Sequence, residues 1–107
     1  MSDIEKEYRR IFLQQKKCAK HWLTPSAHRS QSSTIGMMGP ARKTLQYIES
    51  LEVKKISNKE KLNSLQTFYE EQNQLENKQS RMGSDYYFNC IRYCKSEVEK
   101  AEASPAR

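Results

Sequence analysis

The sequence predicts an all-α protein: a small bundle of three to four helices around a modest core, with a long loop after helix 1. Three observations lead there. Apolar residues recur at i, i+3, i+4 and i+7 in separate stretches, the period of one helix face. No run alternates apolar with polar residues, and no Asn-Gly or Asp-Gly hairpin turn occurs. At 107 residues there is room for one domain, assigned here to 1–103, with 104–107 as a disordered tail.

The first helix is the clearest element. Ser2 followed by Glu5 has capping-box spacing. Ile4, Tyr8, Ile11, Phe12, Cys18, Ala19, Trp22 and Leu23 share one face of a 3.6-residue wheel, and Lys6, Arg9, Arg10, Lys16, Lys17 and Lys20 share the other. Leu13 breaks the pattern by falling in the middle of the basic face. Thr24-Pro25 ends the helix, because the residue before proline resists the α region. Residues 24–40 are rich in Pro, Ser, Thr and Gly and read as the long loop, with the apolar Ile35, Met37 and Met38 free to dock on the core or a partner.

Pro40 suits the first position of a second helix, about 40–54, with Leu45, Tyr47, Ile48 and Leu51 inward. Ser57 and Glu60 form a second capping box and open a third helix, about 58–81, whose stripe is Leu62, Leu65, Phe68, Tyr69 and Leu75. Gln72 interrupts that stripe. Gly83 punctuates, and Ser84 caps a fourth helix, about 85–102, with Tyr87, Cys90, Ile91, Cys94, Val98 and Ala101 aligned.

The core is small. Leu, Ile, Val and Phe total 18 of 107 residues, below the fraction of about 20% at which disorder competes with folding in a charged chain. A chain this polar gains stability by pairing with itself or with a partner, so homo-oligomerisation is one option. No apolar run approaches the roughly 18 residues of a membrane span, and the N-terminus lacks the apolar centre of a signal peptide. Three cysteines suit reduced thiols. The expectation is a cytoplasmic protein with no membrane contact and no cofactor.

Charge carries the functional signal. The net charge is +6. Residues 1–55 hold eleven Lys/Arg against five Asp/Glu, and residues 56–107 hold eight of each. From residue 8 to residue 48 there is no acidic side chain at all, while the same 41 residues contain eight cations. A block of one sign makes a directed positive field that attracts phosphate or an acidic protein surface. Arg9 and Arg10 offer guanidinium forks for phosphate or guanine; Lys16, Lys17 and Lys20 offer point charges. Arg42 and Lys43 near the start of the second helix would add a second anchor beside free backbone N–H groups. A solubilising surface is the plainer reading of any one of these residues; the absence of acids raises the functional one.

The leading expectation is therefore a non-enzymatic basic protein that binds nucleic acid, DNA or RNA, mainly through phosphates. The alternative is an adaptor or inhibitor that docks the same face on an acidic surface of a larger protein, with Leu13, Tyr86 and Tyr93 as interface residues. The only short connection between helices precedes a third helix of mixed charge, a poor recognition helix for a major groove. Cys18, His21, Cys90 and Cys94 would form a zinc site if the first and fourth helices packed together, although small core cysteines are the commoner outcome for such spacing. No phosphate loop, H-E-x-x-H or G-x-S-x-G motif occurs, and catalysis is not expected.

Overall fold

The computed structural model describes residues 3–24, 32–78 and 83–103; of 32–37 and 83–84 it describes the backbone only. Four helices follow one another: α1 Asp3–Trp22, α2 Ser32–Glu52, α3 Asn58–Lys78 and α4 Gly83–Ala103. No strand occurs among the described residues, and none of their helices is long and apolar enough to cross a membrane.

Local chemistry sets the ends. At α1 the Thr24 hydroxyl donates to the His21 carbonyl at 2.7 Å, and the Leu23 N–H to the Lys20 carbonyl at 3.1 Å, occupying carbonyls that the helix leaves open. The second capping box forms in part as expected: the Glu60 N–H donates to Ser57 Oγ at 3.1 Å. Ser2 and the tail 104–107 lie outside the described residues.

The largest departure from expectation lies after α1. Residues 32–40, assigned to the loop, are the first turns of α2, so the second helix begins eight residues early. Residues 25–31 and the side chains of Ile35 and Met37 lie outside the described residues. Pro40 is inside the helix, not at its start. It cannot donate a helical hydrogen bond, at an ordinary cost of about 3 kcal/mol. Its carbonyl still accepts the buried Thr44 hydroxyl at 2.8 Å, and Pro40 itself is buried. Tertiary packing thus outweighs a helix breaker and a weak periodic signal.

Cross-helix pairs give the directions. Asn58 Nδ2 meets the Glu5 carbonyl, and Tyr69 meets Gln15, so α1 and α3 run parallel. Tyr8 to Glu102, Arg10 to Glu97 and Tyr93 to Gln14 make α4 antiparallel to α1. Tyr47 stacks on Phe68 with centroids 4.4 Å apart and rings 9° from parallel, matching an α2–α3 hairpin. The bundle extends 46 × 30 × 26 Å.

The core holds Ile11, Phe12, Ile48, Leu51, Leu62 and Leu65 with Tyr69, Tyr86 and Tyr87. Each buried Leu or Ile contributes about 1.5–3 kcal/mol. Three expectations fail here. Leu75 is 51% exposed, and Glu76 takes its place on the buried side of α3. Tyr86 is 4% exposed, a core residue and not a free interface residue. Cys18 is exposed, although the wheel placed it with the apolar stripe of α1. Gln15 occupies the middle of that stripe instead. It is 3% exposed, and its Oε1 accepts the Tyr69 hydroxyl at 2.8 Å.

Candidate functional site

The outer face of α1 is built by spacing alone. At 100° per residue, Lys6, Arg9, Leu13, Lys17 and Lys20 fall within an arc of about 80°, and Leu13 sits near its middle. Fourteen residues separate the ends, so the stripe is about 21 Å long. Its order is a cation pair, a leucine, a cation pair. All five residues are exposed, Leu13 at 42%. Lys6, Arg9, Arg10, Leu13, Gln14 and Lys17 line a shallow depression on this surface.

Tertiary structure sorts the predicted cations into two groups. Arg10 is engaged within the molecule: Nη2 lies 3.1 Å from Glu7 Oε1, and Nη1 lies 3.4 Å from Glu97 Oε1. Lys16 reaches across to α2, its Nζ 2.8 Å from Glu52 Oε1. That pair is partly shielded and contributes up to about 1 kcal/mol. Arg10 and Lys16 are therefore not free contacts. Among the described residues Lys6, Arg9, Lys17 and Lys20 have no ion-pair partner. Arg42 and Lys43 are exposed but lie in the middle of α2, where the backbone N–H groups belong to the helix. The anion-binding helix start expected beside them is absent.

A second feature escaped the sequence. Because α4 runs antiparallel to α1, Tyr86, Cys90 and Tyr93 come to face Cys18 and Trp22 across a groove of about 530 Å³. Gln14 and Lys17 border this groove as well as the shallow depression, so the two form one continuous surface. Tyr93 is 47% exposed at the rim, with its hydroxyl donated to Gln14 Oε1 at 2.9 Å. Tyr86 and Cys90 form the floor. The aligned cysteines and tyrosines were visible in the sequence, but only helix pairing shows which of them meet.

The cysteines are the wrong set for zinc. Cys18, His21 and Cys90 share the groove, whereas Cys94 accepts a bond from Gln66 Nε2 on the α3 side at 3.5 Å. Among the described residues no three His, Cys, Asp or Glu side chains converge on a point where a metal would sit. Burial pushes the Cys90 thiol up to about 12 and the Cys94 thiol up to about 11, and it raises Tyr86 and Tyr87 beyond the ordinary phenol range. Burial also raises Cys18, against an opposing contact with the Trp22 side chain. The buried Cys90 and Cys94 thiols are therefore poor nucleophiles at neutral pH, whereas Cys18 is exposed. Comparison of the chain with protein-family models, with curated proteins and with solved structures found no match.

Proposed function

We propose that this is a non-enzymatic adaptor or inhibitor that docks the outer face of α1 on an acidic surface of a partner protein. The observation that carries this reading is Leu13, half-exposed at the centre of four unpaired cations. Protein interfaces combine an apolar centre, where most of the affinity resides, with a polar rim that steers and orients. The α1 stripe has that arrangement. A phosphodiester backbone offers nothing apolar to a central leucine.

The second reading is phosphate binding, and the linear array Lys6, Arg9, Lys17 and Lys20 supports it. Four neutralised phosphates on duplex DNA imply a log–log salt slope of about −3.6. Titration of the protein against random duplex DNA and single-stranded RNA, with Leu13→Ala beside the wild type, separates the two. Under the docking reading nucleic-acid affinity is weak, while affinity capture from lysate retains an acidic protein that Leu13→Ala loses. Tight DNA or RNA binding with a slope near four contacts, indifferent to Leu13→Ala, establishes phosphate binding instead.

A further inference from the structure

We infer that the groove between α1 and α4 is an anchor pocket for a large apolar side chain carried on an acidic amphipathic helix of the partner. The inference rests on the docking function proposed above and specifies the chemistry of what docks.

Charge, continuity and shape support it. Among the described residues no acidic side chain lines the groove; Lys17 and His21 stand at its rim. An apolar segment flanked by carboxylates meets no like charge there, whereas a basic segment meets Lys17 at the entrance. Gln14 and Lys17 make the groove continuous with the stripe around Leu13. The volume of about 530 Å³ lies within the usual range for preformed sites. Trp22 and Tyr93 offer ring faces and edges to an aromatic guest. The floor is held by core packing, with Tyr86 at 4% and Gln15 at 3% exposure, so little reorganisation opposes entry.

Spacing defines the partner further. Leu13 and Cys18 are about 7.5 Å apart along the α1 axis and about 140° apart around it, so the span from one to the other is about 10 Å. Apolar residues at i and i+7 of a partner helix lie on one face about 10.5 Å apart along its axis and cover that span. The partner segment is therefore acidic, helical and apolar at i and i+7, with the larger residue in the groove.

Two reporters sit in the groove. Trp22 is the only tryptophan of the chain, and Cys18 is the exposed cysteine while Cys90 and Cys94 are buried. The probes are two blocked helical Glu/Ala peptides with Leu at i and either Phe or Ala at i+7. The Phe peptide is expected to bind about tenfold more tightly or better, to shift Trp22 emission and to slow maleimide labelling of Cys18. Filling the groove by Cys18→Phe is expected to bring the two affinities together while leaving their salt dependence intact, with circular dichroism confirming the fold. Equal affinity of both peptides for the wild type, with salt-sensitive binding retained, overturns the anchor pocket and leaves the basic docking face standing. Binding of neither peptide, or binding indifferent to the double variant Arg9→Glu/Lys17→Glu, overturns the docking face itself. Protection of Cys18 by random duplex DNA, with no peptide binding, replaces both with nucleic-acid recognition.

Discussion

Helices α1 and α3 run parallel, have nearly the same length and bury the same kind of face, yet their outer surfaces differ. In α3 three lysines are interspersed with four glutamates, so neighbouring charges offset one another. In α1 three acids crowd the first five residues, and five Lys/Arg follow without another acid. Part of that gradient suits the helix dipole: acids stand in the first turn, and Lys20 and His21 in the last. The dipole does not account for Lys6 and Arg9, cations in the N-terminal half. A helix that only has to be soluble resembles α3. The proposed docking role accounts for the one-sign stripe of α1, which the dipole leaves unexplained.

The comparison can be tested from the inside outward. Its largest expected effect is one in which the helices agree. Ile11→Ala on α1 and Leu65→Ala on α3 both remove fully buried side chains, and each should cost about 2–5 kcal/mol in denaturant unfolding. A loss at only one of them would mean that the two helices do not share one core.

Next comes the polar bond that joins them. Tyr69→Phe leaves the Gln15 amide buried without its donor and should cost about 1–3 kcal/mol. Glu76 is the opposite case, 8% exposed with an Oε2 that accepts no hydrogen bond. Replacing it with Leu should raise the unfolding free energy by about 1–3 kcal/mol. A destabilised Glu76→Leu variant would show that the carboxylate holds a stabilising partner.

Alkaline pH tests the shared core as a whole. The folded-state values of Cys94 and Cys90 are raised, so the unfolded chain releases these protons first, and stability falls as pH rises. Stability is intact below the ordinary thiol value of 9.0 and declines through about 11 and about 12. The buried tyrosines act in the same direction. Thermal unfolding followed against pH checks this; a flat profile across that window would contradict the buried placement of the thiols.

The smallest stability effect should accompany the sharpest functional one. Arg9→Glu with Lys17→Glu is expected to change unfolding by within about 0.5 kcal/mol, since both side chains are exposed and unpaired. It should abolish partner binding, whereas Lys59→Glu with Lys61→Glu on α3 should leave binding unchanged. Equal loss from both pairs would reduce the α1 stripe to general electrostatics.

The helices, the stripe of α1 and the position of Leu13 within it were legible from residue order. Periodicity and capping act within a few residues of sequence, and four helices with the expected inward Leu, Ile and Tyr residues follow from them. Leu75 and Cys18 were misplaced for one reason. A wheel gives relative angles along one helix, but only neighbours decide how wide the covered arc is. Pro40 was misplaced because local propensity was set against packing that it does not contain.

Residue order by itself therefore determined the all-α architecture and the one-sign face of α1. Tertiary structure decided that Lys16 is not available, because its carboxylate partner is Glu52, 36 residues away; for Arg10 it added Glu97, 87 residues away, to the local pair with Glu7. It also decided that Tyr86, Cys90 and Tyr93 meet Trp22 and Cys18 across a groove, since that meeting depends on the antiparallel register of α1 and α4. Charge patterns are written locally, but their pairing and their concavities are properties of contact between distant segments.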